Sequence, residues 1–176
     1  MRRLVQKPVT WALLGVLAIG VVVGLWLFQP WKVFVDQTVD EALPSVAASP
    51  SASGSPDAGP VVLAEGEFIT HEHATSGTAQ VVRLANGSRV LSLSDLDTSN
   101  GPDLRVWLTD QKVSSGTDGW FVFDDGQYVE LGRLKGNKGN QVYEIPDSVE
   151  PADYRSVTIW CKRFSVSFGA AGLTPV

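Results

Sequence analysis

The sequence predicts an all-β exported domain, either an antiparallel β-sandwich or a small open barrel, behind one N-terminal transmembrane helix and a disordered linker. Three observations support this prediction. Residues 9–28 form one apolar run, residues 44–60 are rich in Pro, Ala and Ser, and residues 61–176 alternate short strand-like segments with turn signals. A chain of 176 residues has room for one domain plus an anchor and a linker.

The apolar run at 9–28 predicts a membrane-spanning helix, because roughly 20 apolar residues cross a hydrocarbon core of about 30 Å. Three basic residues precede it: Arg2, Arg3 and Lys7. The positive-inside rule therefore places residues 1–8 in the cytoplasm. The alternative is a cleaved signal peptide, but no small-x-small cleavage site follows the run. We expect a retained signal anchor that exports the remainder of the chain.

Residues 29–60 are predicted to be a juxtamembrane segment followed by a linker. From Pro44 to Pro60 the chain has too little apolar bulk to offset the entropy of ordering it. This composition predicts a tether that lets the β domain sample heights of roughly tens of ångströms above the bilayer. Both reach toward a partner and simple spacing are consistent with such a segment.

Residues 61–176 carry short segments of alternating polarity between glycine and turn residues, which is typical of strands. No segment has a sustained apolar period of 3.6 residues, so we expect no long helix there. Asn86-Gly87 predicts a type I′ hairpin turn, which needs positive φ at both central positions. The predicted strands are 66–70, 78–84, 90–93, 104–108, 121–123, 128–131, 141–145, 157–161 and 164–168.

The composition argues against several classes of function. A net charge of −5 and a pI near 4.9 argue against nucleic-acid binding, which needs a basic surface. A single cysteine rules out an internal disulfide and any site built from several thiolates. No Gly-x-Ser-x-Gly, His-Glu-x-x-His or phosphate-binding loop is present. Whether the chain is an enzyme stays open.

The one cysteine, Cys161, is the main candidate for chemistry. Side-chain alternation along 157–161 places it on the same face as Val157 and Ile159. If that face is the core, the thiol is a small buried group with a raised pKa and little reactivity. Two basic residues follow it directly, and nearby positive charge would instead stabilise a reactive thiolate. The sequence leaves these alternatives open.

Two other clusters contain possible ligands. His71 and His73 would share one face of a continuing strand and could line a metal or cofactor pocket, although a solvent-exposed strand end or loop is the alternative. The acidic stretch 94–103 offers oxygen ligands of the kind that calcium prefers, but local Asx turns explain its composition equally well. We predict no metal site from either cluster alone.

Trp107 and Trp160 are predicted to lie on the strand faces that point away from the core. Exposed aromatic rings would be natural contact residues of a binding module. Alternatively, the two rings cover the second face of the sandwich.

The exported part of the chain resembles the DM-thirteen electron-transfer domain family over roughly 105 residues. The similar segments are Gly66-Glu67-Phe68, His73, Ser76-Gly77-Thr78-Ala79, residues 86–91, Asn100-Gly101-Pro102-Asp103-Leu104, Leu131-Gly132, Leu134-Lys135-Gly136, Gly139-Asn140-Gln141, residues 143–146, residues 154–161 and residues 164–171. The resemblance implies a β-rich domain whose signature cysteine matches Cys161. It also implies a redox role through a bare thiol or a bound group such as haem, with His73 as a second candidate for holding that group.

Two hypotheses follow. The first is a bacterial membrane-anchored domain with a redox or electron-transfer role through Cys161. A lone thiol cannot run an internal dithiol cycle, so another envelope redox protein would have to be its partner. The second is a noncatalytic cell-surface binding or structural module.

Overall fold

The computed structural model describes residues 8–45 and 59–176. In these residues it contains one long helix, α1 (Pro8–Phe28), and three short 3-10 helices at Pro30–Phe34, Thr117–Gly119 and Pro151–Asp153. The strands are β1 (Thr38–Asp40), β2 (Val61–Thr70), β3 (Ser76–Arg83), β4 (Arg89–Asp97), β5 (Leu104–Thr109), β6 (Tyr128–Arg133), β7 (Lys138–Ile145), β8 (Ser156–Cys161), β9 (Val166–Gly172) and β10 (Thr174–Pro175). The predicted all-β class behind one apolar helix is confirmed.

The strands form one sheet in the order β1-β7-β4-β3-β2-β9-β8-β5-β6, with β10 added beside β2. Strand β2 joins the two halves, because residues 61–67 pair with β3 while residues 68–70 pair with β9. The sheet curls so that these halves face each other. Of the two predicted architectures, the open barrel is therefore the better description.

The main core lies between the facing halves of the sheet. Val81 and Leu91 contribute from one half, and Val106 and Ile159 contribute from the other; each is fully buried. Removing such a side chain from water contributes about 1.5–3 kcal/mol. The alternating pattern of β5 and β8 follows from this arrangement, since only one face of each strand meets the opposite half.

Strand β1 shows that the juxtamembrane segment is part of the sheet. It precedes residues 46–58, yet it pairs in parallel with β7, with Val39 opposite Gly139. Glu41 extends the contact: its carboxylate accepts from the Val142 N–H and pairs with Lys135, each at 2.8 Å. Residues 46–58 themselves lie outside the described residues. They connect β1 to β2 within one sheet, so β1 lies on the anchor side of the predicted linker, and the tether itself stays a prediction.

Helix α1 confirms the predicted apolar span. It is exposed along its length, and Pro8–Lys32 is long and apolar enough to cross a membrane. The three basic residues that predict its orientation lie outside the described part of the chain. The cytoplasmic placement of the N-terminus and the retention of the anchor therefore stay predictions.

Two local predictions are wrong. Residues 121–123 are not a strand: they belong to the loop after the 3-10 helix Thr117–Gly119, and their apolar character reflects the complete burial of Phe123. The turn at Asn86-Gly87 is not type I′, because of its two residues only Gly87 has positive φ, at 86°. The Gly87 N–H donates to the Leu84 carbonyl oxygen at 2.9 Å, which makes a three-residue loop that ends in a glycine.

Candidate functional site

Cys161 is the last residue of β8 and is completely buried. Its neighbours across the sheet are Leu104 on β5 and Val166 on β9. The thiol belongs to the main core together with Val157 and Ile159, as the alternation of the strand predicts. It therefore lies at the end of the core, one residue from a surface turn.

The β8–β9 turn, residues 162–165, closes over this end of the core. The Lys162 N–H donates to the Asp103 carbonyl oxygen at 2.9 Å, and the Phe164 N–H donates to the Cys161 carbonyl oxygen at 3.2 Å. Ser165 has a φ of 49°, a left-handed conformation that is uncommon outside glycine. The turn is thus held in place by backbone hydrogen bonds although one of its residues is strained.

Burial raises the pKa of the Cys161 thiol, and the nearby charge of Glu72 raises it further. Hydrogen bonds from the backbone N–H groups of Phe164, Arg163 and Asp103 act in the opposite direction. The sequence suggested that basic side chains would stabilise a thiolate. The stabilising groups are instead backbone amides from two loops, and these carry no side-chain signature from which they could be predicted.

A network of charged side chains lies beside the same turn. The Arg105 guanidinium bonds to Asp103 at 2.8 Å and to Glu130 at 2.6 Å. Glu130 also accepts from Lys162 at 3.2 Å and from the indole N–H of Trp107 at 3.3 Å. Burial alone would raise the pKa of Glu130, but these donors outweigh it and lower the pKa. The network joins the loop of Asp103 to the turn that covers the thiol.

His73 is half-buried in the bend that follows β2. Its ring packs on Phe168 with 3.9 Å between ring centroids, and its Nε2 lies 3.9 Å from a carboxylate oxygen of Glu72. The prediction that His73 helps to hold a cofactor stays untested by these contacts.

His71 lies in the bend directly after β2, as a strand-end or loop position requires, but it is buried rather than solvent-exposed as that interpretation expected. Its Nε2 lies 3.2 Å from the Ser114 carbonyl oxygen and its Nδ1 lies 2.8 Å from the Ser167 hydroxyl. Since a carbonyl oxygen only accepts, the neutral ring donates from Nε2 and accepts at Nδ1. Burial lowers the pKa of His71, and the bond to Ser114 opposes this shift. Both ring nitrogens have partners, so His71 does not offer a free metal ligand.

Trp107 and Trp160 do not form an exposed contact surface, so that interpretation is wrong. The two side chains are 2% and 1% exposed, and their rings stack with 5.2 Å between centroids. Tyr128 covers Trp107 at 4.0 Å, and Phe123 meets the edge of Trp160 at 6.3 Å. The rings form a second, smaller core on the outer face of the sheet.

The residues around Cys161 do not fit haem ligation. An axial ligand must face a cavity, whereas this sulfur is completely buried in the core and lines neither of the two cavities described. The larger, about 750 Å³, lies between Leu84, Leu131 and Tyr143. The smaller lies beside Asn100 and Arg133. Within residues 8–45 and 59–176, no group of three or more His, Cys, Asp or Glu side chains could hold a metal ion.

Carboxylates of the acidic stretch 94–103 form ion pairs with basic side chains of the protein. Asp97 pairs with Lys138 at 3.4 Å, and Asp103 pairs with Arg105. Neither contact supports the calcium interpretation.

Comparison with known proteins gives one match. The sequence model of the family described as "Electron transfer DM13" matches residues 67–173, well over half of the chain. Neither the curated proteins nor the solved structures include a match to this chain. The matched region contains Cys161, the three amides that face it and the charged network beside them. The chain therefore belongs to the electron transfer DM13 family.

Proposed function

We propose that this chain is a membrane-anchored extracytoplasmic electron-transfer domain whose redox group is the Cys161 thiol. The family supports the electron-transfer role, and the surroundings of the sulfur support the choice of residue. The observation that carries the proposal is the position of the sulfur within the matched region: Cys161 ends β8 at the edge of the core and is followed directly by the surface turn 162–165. Solvation of the sulfur when this turn opens would favour the thiolate, which is the reactive form.

The closed structure keeps this thiol unreactive. The nucleophile is the thiolate, and burial raises the pKa of Cys161. Access requires the movement of only the four turn residues 162–165, because Cys161 ends its strand. Such local openings occur at a lower free energy than global unfolding. Opening relieves the burial that raises the pKa of Cys161 and so favours the thiolate.

The proposed reaction is thiol–disulfide exchange with an envelope partner. Cys161 loses its proton to solvent, and its sulfur attacks one sulfur of the partner disulfide. A new S–S bond forms, the partner S–S bond breaks, and the other partner sulfur leaves as a thiolate. Cys161 is oxidised and the partner disulfide is reduced. A thiolate of a reduced dithiol donor then attacks the Cys161 sulfur and releases the partner as its second thiolate, which leaves a disulfide between the donor and Cys161. The second thiolate of the donor attacks the donor sulfur of that bond, so the donor leaves as a disulfide and Cys161 takes up a proton from solvent.

The second candidate is a noncatalytic structural module, favoured by the complete burial of the thiol. In that case Cys161 acts only as a small core residue, and its sulfur becomes accessible only when the whole domain unfolds.

Ser165 offers a direct test, because its backbone conformation controls the turn. Ser165→Val places a β-branched residue at positive φ and should favour the open turn, whereas Ser165→Gly removes the strain and should favour the closed one. A bias of about 1–2 kcal/mol is a factor of roughly 5–30 in the open population. We expect the native reaction of Cys161 with 5,5′-dithiobis(2-nitrobenzoate), itself a disulfide, to accelerate by that factor in the valine variant and to slow in the glycine variant.

Val81→Ala is the control, since it weakens the fully buried core at a site remote in sequence from the turn. Each reaction rate is compared with the free energy of unfolding of the same variant. Local opening predicts that Ser165→Val accelerates the reaction more than its global destabilisation explains, while Val81→Ala does not. If the reaction rates follow global stability in all variants, the proposal of a redox thiol is wrong and the structural module is the remaining candidate.

A further inference from the structure

The distance between the membrane helix and the sheet is short. Helix α1 ends at Phe28, and the Asn100 side chain already bonds to the Val35 carbonyl oxygen at 3.1 Å. Two further contacts fix the next residues: Asn137 accepts from the Gln37 N–H at 2.7 Å and donates to Asp36 at 2.8 Å. Residues 30–34 between these points form a 3-10 helix. At about 2 Å of rise per residue, that helix separates the sheet from the span by roughly 10 Å.

Exposed apolar side chains concentrate at this junction. Trp31, Phe34 and Val35 are 50%, 88% and 54% exposed, and Phe164 on the β8–β9 turn is 46% exposed. Phe164 also stacks on Phe28, with 5.8 Å between ring centroids and 11° between ring planes. Trp31, Phe34, Val35 and Phe164 are called the junction patch below. Contiguous exposed apolar surface of this kind marks a contact with a protein or a membrane.

Charge near the junction patch fits lipid headgroups. Lys32 lies within the connecting 3-10 helix, and Lys162 and Arg163 precede Phe164 on the turn. Lys162 and Arg163 are both exposed. Basic side chains beside aromatic rings that insert into lipid are characteristic of segments that lie in a membrane interface.

We propose that the junction patch lies in the boundary between headgroups and acyl chains of the same bilayer that α1 crosses. The argument is continuity: Phe28 is the end of the span, and Phe164 is in contact with Phe28, so both rings lie at one depth. The inference rests on the proposed membrane anchor. It places the turn that covers Cys161 against the membrane surface, so a redox partner must approach along that surface.

The test uses the full chain in liposomes, with the photoreactive residue 4-benzoylphenylalanine introduced singly at four positions. Phe164 and Phe34 test the junction patch. Ile19, which is 66% exposed within α1, tests insertion of the span, and Phe121, which is 53% exposed on the loop between β5 and β6, is the matched control. After irradiation, lipid adducts are quantified by mass spectrometry.

We expect lipid adducts at positions 19, 34 and 164, and an adduct yield at least about tenfold lower at position 121. Adducts at 19 with yields at 34 and 164 no higher than at 121 would overturn the inference and leave the membrane anchor intact. Absence of adducts at 19 would overturn the anchor and the inference together. Cross-links from 164 to a second protein chain in place of lipid would also overturn the inference.

Discussion

The two faces of strand β8 are equally buried but are covered in different ways. Val157 and Ile159 on the inner face meet the opposite half of the sheet, which is apolar. Thr158 and Trp160 on the outer face are covered by the irregular segment between β5 and β6. Regular structure covers one face and a loop covers the other. The difference shows that a fully buried strand need not lie between two sheets.

Polar groups hold the outer cover in place. The Thr158 hydroxyl bonds to the Ser167 hydroxyl at 2.8 Å, and Ser167 bonds to His71, which in turn bonds to the carbonyl oxygen of Ser114 in the covering loop. On the inner face, the side chains of β8 form no comparable chain in the described residues, and the buried hydrogen bond of the main core lies on β7, where the Tyr143 hydroxyl donates to the Gln141 side-chain oxygen at 2.8 Å. We infer that the inner face depends mainly on apolar area and the outer face on apolar rings plus this hydrogen-bonded chain.

The largest expected effect tests whether the outer face is a true core. Trp160→Ala should destabilise the domain by about 3–5 kcal/mol, because it empties the space between Trp107 and Phe123. The measurement is denaturant unfolding of the full chain. Phe121→Ala, at an exposed ring of the same loop, is the control and should cost far less. A similar small cost for both variants would show that the loop is a loose cover.

A pair of nearly isosteric exchanges on adjacent residues sharpens the comparison. Val157→Thr buries a hydroxyl in the apolar inner face and should cost about 1–3 kcal/mol. Thr158→Val removes an outer hydroxyl whose main partner, Ser167, still bonds to His71, and should cost about 0.5–1.5 kcal/mol. Equal costs, or the reverse order, would contradict the assigned difference between the faces.

The smallest expected effect is on pH dependence. Burial lowers the pKa of His71 below its ordinary value of 6.5, so the unfolded chain takes up the proton first as the pH falls. His71 therefore contributes stability that is complete above pH 6.5 and declines below it, until its folded form is also protonated. The free energy of unfolding should therefore fall as the pH decreases below about 6.5.

His71→Gln should flatten that part of the stability profile, while His73→Gln, which leaves the buried imidazole in place, should not. The two variants are compared by their slopes with pH rather than by their absolute stabilities. Identical slopes in both variants and in the parent chain would show that His71 is not held as a neutral group.

Side-chain alternation in the sequence predicted several strands and which of their side chains face the main core. Period-two patterns predicted β5 and β8 and the faces of Cys161 and Trp160, because only one face of each strand meets the main core. Alternation does not say what covers the other face, so the sequence leaves open whether Trp107 and Trp160 are exposed or cover that face. Residues 121–123 were predicted as a strand because a buried loop can be as apolar as a strand.

The candidate site was predicted only in part. Cys161 is distinctive as the single cysteine, and its place at the core edge follows from parity. The role of the backbone amides of Asp103 and Arg163 could not be predicted from the sequence, since every residue except proline carries an amide N–H. The strained φ of Ser165 and the pairing of β1 with β7 could not be predicted from the sequence either, because both depend on contacts between segments distant in the chain.

The position of β1 has a consequence for proteolytic release. A protease that cuts between residues 45 and 59 would break the covalent link between α1 and most of the domain, but it would leave the contacts of β1 with the sheet in place. The two fragments would remain associated through the β1–β7 ladder and the pairing of Glu41 with Lys135. If α1 anchors the chain in a membrane as we propose, efficient shedding of the domain would require cleavage ahead of Val35, beside the proposed lipid contact.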